Sequence, residues 1–272
     1  MGSILGFNLK YGNYKHKNLE NMKIGIVGTG AIGSLLAEKL SKTGHQIKVT
    51  NTREMPELEK IAANLGATAA TIHEVVKDVD AVIFSMPFNA YKDLPKDLLK
   101  DVPQGVVVMD TSNYYPFRDG EIPELEQISE SEYISKILNR PLVKVFNNML
   151  EGTLKYKGKN TVQEARVAIS IAGDNQEHKK IVTELVDCTG FDTVDAGSLA
   201  ESWRQQPGTP AYCTELNEAE LKEALANAEK GKAPAIRDFI MDNLMKQDSW
   251  PGYEEILAGN RLHEIGKIQD KL

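Results

Sequence analysis

The sequence predicts an α/β fold, a doubly wound and mostly parallel sheet followed by a C-terminal helical extension. Three observations carry that expectation. Short β-branched runs alternate with segments of helical period from Lys23 to Asp195, the connections between them are short, and from Glu215 onward only helical patterns occur.

Each element has its own signal. Lys23–Gly28 (KIGIVG) is an apolar run that stops on glycine, the pattern of a buried parallel strand. Ala31–Lys42 places Ile32, Leu35, Leu36 and Leu40 on one helical stripe, and Gly44 closes it. A strand at Gln46–Asn51 and a helix at Met55–Leu65 follow, then a short helix at Ile72–Lys77 and a buried strand at Ala81–Ser85. Pro87 ends that strand, a helix is expected to about Lys100, and Gly105–Asp110 (GVVVMD) forms the next strand. Helix Ser129–Leu138 leads into strand Leu142–Phe146. After a Gly/Lys-rich loop, strands Arg166–Gly173 and Phe191–Asp195 flank helix Gln176–Cys188 and continue the alternation. The tail reads as helices Glu215–Glu229, Ala235–Lys246 and Gly252–Ile268. Its last helix sets Ile256, Leu257, Leu262 and Ile265 among charges, a face that suits intrachain packing and a homodimer contact equally.

Composition narrows the function. The 272 residues carry a formal charge of −7, without the basic footprint that a nucleic-acid partner requires. No run reaches the roughly 18 apolar residues of a membrane span. Cys188 and Cys213 form no C-x-x-C pair and read as two reduced thiols of a cytoplasmic protein, and no histidine or cysteine spacing fits a metal.

Gly28-Thr29-Gly30-Ala31-Ile32-Gly33 is G-x-G-x-x-G, and it lies where the motif has meaning, after a strand and at the start of a helix. Gly28 permits the tight turn, Gly30 lets the backbone approach a pyrophosphate, and Gly33 lets helix and strand pack closely. At the end of the second strand an NAD site places an acid for the ribose 2′-hydroxyl, about 20 residues after the motif. Here the residues are Asn51, Thr52 and Arg53, a set that suits a 2′-phosphate and therefore NADP(H). The other use of Arg53 is an ion pair with Glu57.

Taken together, GTGAIG, Thr52-Arg53, Lys144–Asn147, Ala172–Asp174 and Gly190–Gly197 resemble the deazaflavin (coenzyme F-420)-dependent NADP oxidoreductase family, whose NADPH-binding domain is similar to the cytosolic domain of the metalloreductases. The resemblance runs from about Lys23 to Leu199. It implies a Rossmann domain with a smaller C-terminal part as the other wall of a cleft. It also implies that Thr29 to Ile32 line the pyrophosphate and that Thr52 and Arg53 meet the 2′-phosphate. Ser85, Met86 and Pro87 would border the nicotinamide ribose, and Phe146 and Asn147 would approach the nicotinamide amide. The corresponding division is an extension over residues 1–21 without a functional role, an NADP-binding domain over 22–199, and a linker with helical part over 200–272.

The second substrate is less legible. Asp110–Tyr115 follows a strand at the ligand-binding end of the sheet, so Asn113 and Tyr114 are candidates for a pocket wall, with an ordinary polar loop as the alternative. Trp203 and Arg204 could stack on and pair with a planar anionic molecule, or anchor a linker. No side chain is singled out as a catalytic acid or base. The expected function is hydride transfer between NADP(H) and a small acceptor. A flavin or deazaflavin is implied by the resemblance, with a quinone or a small carbonyl or imine compound also open. The alternative is a non-catalytic NADP(H)-binding redox sensor that acts through its helical tail.

Overall fold

The structure, a computed structural model, describes residues 21–159, 165–246, 249 and 251–264. The expected N-terminal extension lies outside the described residues except for Asn21. The same holds for Ile265 and for the side chain of Leu262.

The chain begins with β1 (Lys23–Val27), α1 (Ala31–Lys42), β2 (Gln46–Thr50), α2 (Met55–Asn64), β3 (Thr68–Ala69), α3 (Ile72–Val75) and β4 (Ala81–Phe84). A 3-10 segment at Phe88–Asp93 precedes β5 (Val107–Asp110), α4 (Pro116–Asp119), α5 (Glu130–Leu138), β6 (Val143–Lys144) and α6 (Glu151–Tyr156). Then come β7 (Ala168–Ile171), α7 (Gln176–Cys188) and β8 (Asp192–Asp195). A third 3-10 segment, Leu199–Gln205 (the second is Pro123–Glu126), leads to α8 (Glu218–Asn227), α9 (Ala233–Met245) and α10 (Tyr253–Glu264).

Six strands form a parallel sheet in the order β3-β2-β1-β4-β5-β6. This is the doubly wound Rossmann order, with the reversal of winding between β1 and β4. Successive side chains of a strand point to opposite faces, and the core divides accordingly. Ile24, Ile26, Ile83 and Met109 pack with α1, α6 and α7, whereas Val27, Val82, Phe84 and Val108 face Phe88, Tyr91 and α5. Burial on both faces explains why these strands read as continuous apolar runs.

Three expectations change. The segment after Pro87 is 3-10 and turn rather than a helix to Lys100, since Pro95 lacks the amide that a continuing helix needs. β7 and β8 do not extend the main sheet. They form a parallel pair of their own, joined to β6 by one antiparallel bridge, Lys144 to Ala172. β6 is only two residues long, and Phe146 just beyond it has φ 58°, which turns the chain out of the sheet direction. The stretch expected as a Gly/Lys-rich loop contains α6, whose Leu154 is fully buried against the core.

The C-terminal part is fastened to the sheet by specific bonds. The Ser129 hydroxyl, which also caps α5, donates to the Leu199 carbonyl at 3.1 Å. The Asn147 amide donates to the Gln205 carbonyl at 2.8 Å. α8 closes a third apolar cluster of Ala168, Val194, Leu216, Leu221 and Leu225.

Candidate functional site

A cleft of about 580 Å³ opens at the carboxyl ends of β1, β2 and β4, the edge where open α/β sheets hold ligands. Gly28, Thr29 and Gly30 form its floor, Thr50 to Arg53 one wall, and Ser85, Met86 and Pro87 the other.

Glycine is required here for geometric reasons. Gly28 has φ +104°, and a Cβ there would stand 2.0 Å from the Ser85 carbonyl oxygen. A Cβ on Gly33 would stand 2.0 Å from the Gly28 carbonyl oxygen, so α1 could not pack this closely on the turn. Gly30 differs: its φ is −72° and a Cβ would meet nothing within 4 Å. Its role is to leave the space open. It is also the N-cap of α1, has no side chain to cap the helix, and is followed by no acidic residue in the first turn. The helix therefore presents its first amides and the positive end of its dipole to whatever occupies the cleft.

The loop after β2 is held in place by its own polar groups. The Asn51 amide donates to the Thr29 hydroxyl at 2.6 Å, and the Asn51 side-chain oxygen accepts from the Arg53 backbone amide at 2.8 Å. Arg53 forms an exposed ion pair with Glu57, one helical turn further on.

Of the positions expected at the dinucleotide, Gly28, Thr29, Gly30, Asn51, Thr52, Arg53, Ser85, Met86 and Pro87 all line the cleft. Ala31, Ile32 and Gly33 form the first turn of α1 behind it. Phe146 and Asn147 do not reach it. Both are buried, and Asn147 is engaged with Asn113 at 3.0 Å and with the Gln205 amide at 2.7 Å. The cleft gains Ile72 and, from the segment after β4, Ala90, Asp93, Leu94 and Pro95. The only hint of the latter in the sequence is that they follow β4, the strand next to the motif-bearing β1.

The candidates for the second substrate lie apart from this cleft. Asn113 is half-buried and donates to the Asn147 carbonyl at 2.9 Å. Tyr114 is buried, with its hydroxyl donating to the Gly120 carbonyl at 2.8 Å. Trp203 and Arg204 stack on each other, the guanidinium carbon 4.4 Å from the ring centroid. Arg204 also pairs with Glu201 at 2.8 Å and donates to the Leu225 carbonyl at 3.2 Å, contacts that anchor the segment to α8.

At the ends of β5 and β6 lies a buried polar cluster outside the expected site residues. Lys144 and Asp110 are fully buried and paired at 3.0 Å. Asp110 also accepts from Tyr91 at 2.8 Å, the Ser112 hydroxyl at 2.6 Å and Ser131 at 2.9 Å. Burial by itself would raise the Asp110 carboxyl, but the Lys144 charge and the Ser112 and Tyr91 donors outweigh it and hold it below the ordinary value. Nearby Glu130 accepts from the Tyr114 amide at 3.2 Å, and burial pushes its carboxyl up to about 7. The available signal was a charged residue inside each of two apolar strand runs, GVVVMD and LVKVF.

The family described as "NADP oxidoreductase coenzyme F420-dependent" matches residues 23–114, the span that holds β1 through β5. "Putative protein YjhV" of Escherichia coli K12 is 34% identical over 125 residues, which are 46% of this chain and 84% of that protein. The chain belongs to the NADP oxidoreductase, coenzyme F420-dependent, family. Other relatives agree with an oxidoreductase of pyridine-nucleotide type. The glycerol-3-phosphate dehydrogenase [NAD(P)+] of Leptospira biflexa is 25% identical over 196 residues, 63% of this chain, which spans about half of that enzyme's length (53%). Among solved structures, the hypothetical protein SMa0349 of Sinorhizobium meliloti superposes with a TM-score of 0.61 at 25% identity, over 74% of this chain and 98% of that one. No helix among the described residues of this family member is long and apolar enough to cross a membrane.

Proposed function

We propose that the chain is an NADP(H)-dependent oxidoreductase that exchanges a hydride with a small acceptor, of which a flavin or deazaflavin is one candidate class. The observation that carries this reading is the open cleft itself. It joins an uncapped helix N-terminus over Gly30 to Thr52 and Arg53 at the end of β2.

The residues present fit a phosphorylated dinucleotide. The first amides of α1, with Thr29, would hold the pyrophosphate, and the space beside Gly30 is where it would lie. Thr52 and Arg53 would meet the 2′-phosphate. The existing pair between Arg53 and Glu57 is an exposed contact one turn apart, worth only about 0.3–0.5 kcal/mol, so a phosphate displaces it at little cost. Ser85, Met86 and Pro87 would flank the nicotinamide ribose. A bound dihydronicotinamide supplies the hydride, and the protein's part is to orient it and to exclude water.

Replacing Arg53 with Ala tests the phosphate assignment. The Michaelis constant for NADPH should rise about tenfold, the loss of one charge-assisted contact, while that for NADH stays nearly unchanged. Equal effects on both nucleotides would assign Arg53 to the surface pair alone.

A further inference from the structure

A second cavity, of about 360 Å³ and open to solvent, lies between the loop after β5, the start of α5 and the start of α9. Tyr114, Ile122, Leu125 and Pro234 give it apolar walls. Among the described residues none lines both this cavity and the dinucleotide cleft.

Two charged side chains reach the cavity from inside the protein. Glu130 is 4% exposed and Arg237 7%. Each has hydrogen-bonding capacity that the protein does not use. One Glu130 carboxyl oxygen accepts from the Tyr114 amide at 3.2 Å. The other has no donor among the described residues and is not sealed in, so it opens on the cavity. Nε of Arg237 bonds Asp238 at 2.8 Å, and the guanidinium lies over the Tyr114 ring, its carbon 5.4 Å from the centroid. The two terminal nitrogens of Arg237 have no acceptor among the described residues and are not sealed in either. Arg237 also borders a smaller cavity beside Tyr115 and Tyr212.

Buried opposite charges ordinarily pair, because a stranded charge is costly. Glu130 and Arg237 attract each other, yet no nitrogen of Arg237 comes within 4.0 Å of the Glu130 carboxyl. The charges around this gap decide what can fill it. Glu121, Glu126 and Asp238 at the rim oppose a ligand whose only charge is a carboxylate. Arg237 opposes one whose only charge is an ammonium. Among the described residues no group of His, Cys, Asp or Glu side chains is placed to hold a metal ion. A molecule that carries both charges meets neither objection.

We propose that this cavity binds an amino acid with an apolar side chain, its ammonium on Glu130, its carboxylate on Arg237 and its side chain on the apolar walls. The site is separate from the dinucleotide cleft, and the proposal does not rest on the oxidoreductase reading.

Isothermal titration calorimetry on the full chain tests it with three probes of one shape. They are L-leucine, isoamylamine, which lacks the carboxylate, and isocaproate, which lacks the ammonium. The titrations are run at about pH 8, above the value of about 7 to which burial raises the Glu130 carboxyl. L-Leucine should bind, and each of the other two should bind at least about tenfold more weakly, the loss of one charge-assisted contact. Glu130→Gln and Arg237→Met should each weaken L-leucine by a similar factor, with thermal melts showing that the variants are folded. Should Arg237→Met not fold, Glu130→Gln and the three probes decide alone. Absence of L-leucine binding to the wild type overturns the proposal, as does binding of the amine or the acid as tight as that of L-leucine. So does an undiminished affinity for L-leucine in either folded variant.

Discussion

At the ends of β1, β2 and β4 the molecule presents glycines, backbone amides and an open cleft of about 580 Å³. At the ends of β5 and β6 it packs a fully buried lysine against a carboxylate, and just beyond them it ties Asn147 to Gln205. The first region binds through main-chain geometry, so its requirements are local and recur as a short pattern. The second is held by side chains that meet across long sequence separations. Asp110 meets Lys144 34 residues on, and Asn147 meets Gln205 58 residues on. The comparison teaches that one edge of one sheet can be open to a ligand on one side while it is filled by the protein's own side chains on the other.

The largest effect should come from breaking the closed side. Lys144→Met leaves the Asp110 carboxylate buried without its countercharge, and loss of one partner of such a pair costs about 3–5 kcal/mol. Urea unfolding measures this. Adding Asp110→Asn to Lys144→Met should recover part of the loss, since no charge is then stranded. If Lys144→Met alone unfolds like the wild type, the pair contributes no more than a surface contact.

Next in size is a pH effect. The Glu130 carboxyl is raised from 4.5 to about 7 by burial, so the folded chain holds that proton more tightly than the unfolded chain does. Its stabilising contribution is complete below about pH 4.5 and is lost as pH rises to 7, a change of about 3 kcal/mol at 1.36 kcal/mol per unit. Glu130→Gln should remove this slope from the unfolding free energy between pH 4.5 and 7. The Asp110 carboxyl is shifted the other way, so its contribution is present above the ordinary carboxylate range and is lost in acid. Parallel pH profiles for wild type and Glu130→Gln would assign the slope to other groups.

On the open side, Gly33→Ala should cost roughly 1–3 kcal/mol, because the new methyl meets the Gly28 carbonyl oxygen and pushes α1 off the turn. NADPH affinity should fall with it. A variant as stable as the wild type would mean that the helix can shift freely, and the close packing assigned to Gly33 would not hold. Arg53→Ala is the smallest change, confined to NADPH and without an effect on thermal stability.

The same contrast explains what could be read from residues alone. Continuous apolar runs such as KIGIV and AVIF identified the central strands, because each is buried on both faces and its apolar content does not depend on register. Gly28 to Arg53 could be placed because turn, cradle and helix start lie within one βαβ unit. The β7–β8 pair could not, since its apolar run is that of any buried strand and nothing in it says which sheet it joins. Asn147 illustrates the limit. Its neighbourhood is set by Gln205, and no local pattern announces that an amide so far along the chain will fill the space beside it. Tyr115 and Tyr212 are likewise joined only by the fold.

Gly30 offers the most direct test of the central claim, that the cleft over α1 is a dinucleotide site. A side chain there meets open space and an ordinary backbone conformation, so Gly30→Glu should fold with an unchanged melting temperature. Its carboxylate would stand where the pyrophosphate is proposed to lie. Fluorescence titration of wild type and Gly30→Glu with NADPH should show saturable binding in the first and a loss of at least about a hundredfold in the second. Equal NADPH affinity in the two folded proteins would contradict the assignment.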